Sequence, residues 1–260
     1  MIIERECVLK TNLVCSFPKC GRTWVRFILA NYINQYVKVH KSIDFFSVFT
    51  LCPNYNLDPE RGLPAYALSQ QDPFVTFSHA VSHSKEADKL LIIKRCPLDT
   101  LVSYYFQSSS RHGRDLPPLS EFTVNQSIFT LIEFYNELAA ALSNNDPKQL
   151  KTISYEGLHR NTMEVMISVI EFFELSLEVD KLTQAIAHSA FDSLRRLEIE
   201  KGFPNRQIVI DPTNPNSLRA REGKVNGHTQ HFSKQQIDKI KNILESRLTL
   251  PAKILLSEYF

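Results

Sequence analysis

The stretch Ser16-Phe-Pro-Lys-Cys-Gly-Arg-Thr-Trp24 follows an apolar run, Leu13-Val14-Cys15. Behind it come Val25, Ile28, Leu29, Tyr32, Ile33 and Tyr36 at helical spacing. The pattern predicts a strand over Leu13–Phe17, a tight turn, and a helix over Arg22–Tyr36. A turn at a helix N-terminus offers unpaired backbone N–H groups and the positive end of the helix dipole, which together suit a phosphate. Lys19 adds a mobile charge and Thr23 a hydroxyl donor. A Walker A loop places its lysine after the second glycine. Here Lys19 precedes the stretch's one glycine, Gly21, so a kinase or ATPase fits poorly.

Outward from this turn, strand-like and helix-like segments alternate. Leu90-Leu91-Ile92-Ile93 is a continuous apolar run, as a strand buried on both faces requires. Phe74–Ser78 and Thr152–Tyr155 are shorter strand candidates. Pro97 and Asp99 open a helix reaching Phe106. Ile128, Leu131, Ile132, Tyr135, Leu138 and Leu142 mark a long amphipathic helix. Asn161-x-x-Glu164 resembles a capping box before a helix through Phe173, and Ser233-x-x-Gln236 opens another. The expected fold is α/β: one domain over residues 1–260, a central parallel sheet flanked by helices, and a P-loop-like strand–turn–helix. Ligands of such sheets sit at the carboxyl ends of the strands. Segments 41–73, 107–125 and 203–232 receive no assignment.

The chain has 260 residues, of which 43% are hydrophobic, enough for one sizeable core. A net charge of +2 is too small to argue for nucleic acid or a membrane surface, and neither is expected as a partner. No apolar run is long enough to cross a membrane, and Met1–Glu6 lacks a signal-peptide layout. Five cysteines, at 7, 15, 20, 52 and 96, form no CxxC pair, which fits free thiols in a cytoplasmic protein. The oligomeric state has no signature here.

A second strand-to-helix turn reads Lys-Arg-Cys-Pro-Leu-Asp-Thr-Leu-Val-Ser-Tyr-Tyr-Phe from Lys94 to Phe106. Arg95 lies at the strand exit, and Ser103 lies far enough along the helix to face the same crevice. Guanidinium and hydroxyl together suit a dianionic phosphate.

Residues Pro18, Lys19, Cys20, Gly21, Arg22, Thr23 and Trp24 resemble the 5'-phosphosulfate-binding loop of the cytosolic-type sulfotransferases. These enzymes move a sulfuryl group from 3'-phosphoadenosine 5'-phosphosulfate (PAPS) to a hydroxyl or amine. Cys20 and Arg22 replace the usual serine and first threonine. Arg95 to Tyr105 resembles the family's 3'-phosphate motif at every fixed position. Tyr155-Glu156-Gly157-Leu158 is similar to a segment whose tyrosine contacts the adenine. Ser189 and Phe191 fall in a segment similar to one whose threonine and phenylalanine touch the adenosine. Arg221-Glu222-Gly223 resembles a loop whose arginine and glycine bind the 3'-phosphate. Glu222, Asn226, Gly227 and His228 depart from that loop, which also loses its tryptophan.

The resemblance implies a PAPS-dependent sulfotransferase without a metal, acting on a small-molecule acceptor. The short chain is more like a bacterial-type relative, with natural-product tailoring as one setting. Sulfuryl transfer requires a deprotonated acceptor, a stabilised leaving oxygen and in-line placement. Lys19 is expected to stabilise the leaving group and Ser103 to assist beside it. His79 aligns with the family's base in Phe77-Ser78-His79, where the family's lysine is replaced by Phe77. His83 is a second candidate base. His79 with His83, or His228 with His231, lack a third ligand at zinc spacing. An NTP-dependent kinase and a catalytically inactive PAPS-binding protein are the alternatives.

Overall fold

The computed structural model describes residues 12–55, 75–143, 149–203, 211 and 213–260. Four strands form one parallel sheet in the order β2-β1-β3-β4: β1 Asn12–Cys15, β2 Thr76–Ser78, β3 Lys89–Lys94 and β4 Leu150–Ser154. Leu13, Val14 and Cys15 of β1 are fully buried, as are Leu91, Ile92 and Ile93 of β3. Strands this apolar on both faces need helices on both sides.

The longer helices are α1 (Arg22–Val37), α3 (Pro97–Phe106), α5 (Ile128–Leu142), α7 (Thr162–Phe172), α8 (Val179–His188), α9 (Phe191–Lys201) and α10 (Lys234–Arg247). Shorter ones are α2 (Val48–Leu51), α4 (Leu119–Phe122), α6 (Tyr155–Arg160) and α11 (Leu250–Leu255). Helix α1 packs on α8, and α5 packs on α10 and α11. From β1 the chain crosses to β2 on one side, then returns to place β3 on the other. The reversal point is therefore the carboxyl end of β1 beside β3, where both phosphate-like turns emerge.

Several expected boundaries move. Strand β1 stops at Cys15, and Phe17 turns inward to pack edge-on against Phe134 and tilted against Tyr104. Strand β2 starts at Thr76; Phe74, the expected start, lies outside the described residues. Tyr155 begins α6 rather than ending β4, because the Ser154 hydroxyl caps that helix by accepting from the Gly157 amide. Ser233 and Gln236 form the reciprocal capping box of α10. At α7 only the Asn161 half has that form, since its amide meets the Glu164 carboxylate rather than a backbone group. Segment 107–125 is helical only at its ends, with a π-helical turn at Gln107–Arg111, irregular chain over 113–118, then α4 running into a second π-helical turn at Thr123–Ser127.

Cys15, Cys20 and Cys52 are buried free thiols, and burial pushes them up to about 12, 11 and 12. They stay protonated core fillers at neutral pH. Cys96 is half-buried, and Cys7 lies outside the described residues. No described helix is long and apolar enough to cross a membrane.

Candidate active site

One cleft opens at the reversal point. It gathers Lys19, Gly21, Arg22, Thr23 and Trp24 from the first turn, and His79 from the exit of β2. Arg95 and Ser103 join from the second turn, and Tyr155, Phe191, Arg221, Glu222 and Gly223 from the later segments. Residues 204 positions apart in sequence, from Lys19 to Gly223, thus share one wall.

Two backbone positions shape the first turn. Lys19 has φ 74° and Gly21 has φ 93°, both in the left-handed region. For a lysine this conformation costs about 1–2 kcal/mol, and such strain concentrates at functional sites. Glycine at 21 has a second cause: a Cβ there would lie 2.6 Å from the Tyr155 ring. Gly21 ends the loop as the N-cap of α1, whose first turn carries no acidic side chain. No acidic side chain of that turn therefore opposes the dipole.

Arg95 ties the two turns together. Its Nη1 donates to the Lys19 carbonyl at 3.0 Å and its Nη2 to the Lys224 carbonyl at 3.1 Å. Its guanidinium also lies 4.2 Å over the Tyr155 ring. Tyr155 in turn packs edge-on against His159 and Trp24. Phe191 lines the cleft against Gly223, where a Cβ would come within 2.6 Å of its ring.

Three side chains expected at the nucleotide do not line the cleft. Pro18 is not part of the cleft lining. The Cys20 thiol points into the core, 3.9 Å from Thr100 Oγ1 and 4.0 Å from the Tyr135 hydroxyl. Ser189 is fully buried and its hydroxyl accepts from Asn31. Cys20 can serve an anion only through its backbone.

His79 carries the base geometry. Its Nδ1 lies 2.7 Å from the Ser16 carbonyl oxygen. A carbonyl only accepts, so Nδ1 holds the proton and Nε2 is left as the basic nitrogen. His79 is exposed on the cleft. Partial desolvation there, with Arg22, Arg26 and Arg219 adding positive charge, holds its pKa below 6.5. The imidazole is therefore neutral at pH 7. His83 faces elsewhere: its Nδ1 meets the Ser78 hydroxyl at 2.7 Å, its ring stacks on Tyr55, and it does not line the cleft.

The loop that lost its tryptophan closes by another device. Asp99 of α3 accepts from the Asn226 amide (2.7 Å), the His228 amide (2.9 Å) and His228 Nδ1 (2.7 Å). Burial alone would raise the Asp99 carboxyl, but the His228 bonds and Arg95 hold it below the usual range. Burial would lower His228, whereas Asp99 and Cys96 lift it to about 9. The sequence points to His228 as a departure from the loop and as half of a metal pair without a third ligand, and to Asp99 as a helix start inside the 3'-phosphate-like motif, but not to their meeting. A buried acid in the first turn of a motif helix was the signal available. Arg219, Phe45 and His159 also line the cleft and had no signal of their own.

This clamp has a testable pH signature. The His228 pKa is raised on folding, so its contribution is full below the ordinary value of 6.5 and fades as pH rises through about 9. Asp99→Asn should therefore melt lower than the wild type under mildly acidic conditions, by about 1–3 kcal/mol of stability. The gap should narrow in alkali. A gap independent of pH would assign Asp99 a purely neutral hydrogen-bonding role.

Cys96, Asp99 and His228 also form a group whose ligand-type atoms lie within 4.8 Å of one another among the described residues. Its carboxylate oxygens and Nδ1 are already engaged in the hydrogen bonds just given, so the group reads as a loop clamp.

The donor set facing the cleft fits an anion. Arg95, Arg221 and Trp24 line the cleft, and their Nε, Nε and Nε1 N–H groups are buried with no hydrogen-bond partner among the described residues. Unpaired buried donors cost about 1–3 kcal/mol each unless a ligand accepts from them. Glu222 pairs with Arg221 Nη1 and so competes for part of that guanidinium.

A sequence profile of the sulfotransferase domain matches residues 10–251, so the chain belongs to the sulfotransferase family. Sulfotransferase 6B1 of Danio rerio is 22% identical over 248 residues, covering 91% of this chain and 77% of that protein. Cytosolic sulfotransferase 17 of Arabidopsis thaliana is 22% identical, covering 90% of this chain and 73% of its own. Retinol dehydratase, solved with androsterone and the inactive cofactor PAP, superposes with TM-score 0.65 at 15% identity, covering 92% of this chain and 81% of that one. A mouse sulfotransferase complexed with PAP gives TM-score 0.65 at 15% identity, covering 96% and 88%. At these identities the structural likeness establishes the fold.

Proposed function

We propose that this chain transfers a sulfuryl group from PAPS to a hydroxyl or amine of a small molecule, with His79 as general base. The observation that carries the reading is a single cleft holding unpartnered N–H donors beside a histidine whose Nε2 is fixed as the basic nitrogen. The family, and related folds solved with PAP, support the same donor. PAPS supplies an activated sulfuryl group on a phosphate leaving group.

Each residue then has a physical task. Arg95 and Arg221 hold the 3'-phosphate through Nε–H groups that otherwise lack acceptors, with Ser103 and Gly223 beside them. Tyr155 and Phe191 present aromatic surface to the adenine, a contact worth about 1–3 kcal/mol by analogy with base stacking. The amides of the first turn, Thr23 and Lys19 take the 5' side. His79 Nε2 receives the acceptor's proton, and Lys19 neutralises charge on the leaving oxygen.

The deciding experiment is mass-spectrometric detection of a product heavier by one sulfuryl group when labelled PAPS is offered with an acceptor panel. Tight PAP binding without transfer to any acceptor would instead mark a non-catalytic nucleotide-binding protein. Arg95→Ala and Arg221→Ala should each weaken PAP by about 1.5–3 kcal/mol, the worth of a charged hydrogen bond. Calorimetry giving wild-type affinity for both would remove the 3'-phosphate assignment.

A further inference from the structure

The Arg95 guanidinium is tied at the front to the Lys19 and Lys224 carbonyls. Its backbone is gripped from behind. Arg95 stands between Lys94, the last residue of β3, and Cys96, the N-cap of α3. Both neighbours are bonded, directly or through one carboxylate, to the stretch formed by α11 and the short helical turn Ser257–Tyr259.

On one side, Lys94 Nζ donates to the Leu255 carbonyl at 3.0 Å and pairs with Glu258 at 3.3 Å. The Glu258 side chain is 41% exposed, so solvent screens that ion pair and it adds little. On the other side, the Cys96 amide donates to Glu156 Oε1 at 3.0 Å. The second oxygen of the same carboxylate accepts from the Tyr259 hydroxyl at 2.7 Å. Tyr259 is partly buried and packs against the core. Burial and the Glu156 charge push its phenol above the ordinary range, so it remains a donor. Glu156 lies in the first turn of α6, next to Tyr155, whose ring carries the Arg95 guanidinium. One carboxylate thus joins the start of α3, the start of α6 and the 257–259 turn.

Neither Glu156 nor Tyr259 lines the cleft, so neither touches a ligand there. Their effect on the site runs through Arg95. Hydrogen bonds weaken steeply as donors swing out of line, and a binding group is as precise as the shell that supports it. Resting on the sulfotransferase reading above, we propose that Tyr259 is a positioning residue for the 3'-phosphate: through the Glu156 carboxylate and the Cys96 amide it holds the backbone from which Arg95 reaches that group.

The test is a double-mutant cycle read by calorimetric titration of PAP into the full chain. Tyr259→Phe keeps the ring and its packing and removes only the hydroxyl. It should weaken PAP by about three- to tenfold, since a bond to a charged group is lost one step from the donor. Introduced into Arg95→Ala, the same change should alter PAP affinity by less than about 1.5-fold, because the group it positions is gone. Glu156→Ala, which removes both bonds, should weaken PAP at least as far as Tyr259→Phe. An equal loss in both backgrounds would mark Tyr259 as a general stabiliser and overturn the proposal. Wild-type affinity in Tyr259→Phe or in Glu156→Ala would overturn it as well. Failure of the wild type to bind PAP at all would instead strike the underlying sulfotransferase reading, and the proposal with it.

Discussion

Replacing His79 with alanine is expected to cut turnover by about 10²–10⁴-fold, the usual worth of a positioned general base. The fold and PAP affinity should persist, because the side chain makes one described hydrogen bond, to the Ser16 carbonyl. The same bond fixes the tautomer, so the loss should appear in kcat rather than in nucleotide binding. The sign of the pH effect follows from the lowered pKa. Protonation of the base silences it, so the acidic limb of the rate profile should fall well below pH 6.5. The variant should lose that limb. His83→Ala should keep it, since His83 meets Ser78 and Tyr55 outside the cleft. A dead His83 variant beside an active His79 variant would move the base and break the proposed assignment.

Lys19→Ala should lower single-turnover rates by about 10²–10³-fold while changing PAP affinity far less, as when a transition-state donor is removed. The physical reason is timing. Charge on the bridging oxygen grows only as the bond breaks, so an ammonium group there stabilises the transition state more than the ground state. The backbone supports this role: Lys19 is held in the left-handed region, and its carbonyl is tied to Arg95. A rate within about twofold of wild type, under roughly 0.5 kcal/mol, would reduce Lys19 to a binding residue.

The two effects separate experimentally. In the proposed mechanism His79 takes the acceptor's proton, so its loss should matter less for an amine acceptor that is already neutral. Lys19 is proposed to serve the leaving group, so its loss should be insensitive to the acceptor.

The strand–turn–helix from Leu13 to Tyr36, the apolar strand Leu90–Ile93 and the Pro97 helix were legible in the chain. Their signals are local: apolar period, a proline at a helix start, and a capping residue lie within a few positions of each other. The cleft lining was legible for Lys19, Gly21, Thr23, Arg95, Ser103 and Arg221 because each sits in a short motif. The boundary at Tyr155 was not, because a capping serine and a β-type tyrosine give conflicting local preferences. The Ser154–Gly157 bond decides between them.

Local residue order alone establishes the two phosphate-type turns and the family they resemble. How the turns are joined comes from packing across the chain. Arg95 reaches carbonyls 76 and 129 positions away, at Lys19 and Lys224. Asp99 meets His228 at a separation of 129. The same holds for the charge around His79, where Arg22, Arg26 and Arg219 converge from α1 and a distant loop. No local pattern encodes such meetings. They arise because the parallel sheet reverses direction at β1 and brings every loop on its carboxyl edge to one place, where charge and desolvation act through space rather than along the chain.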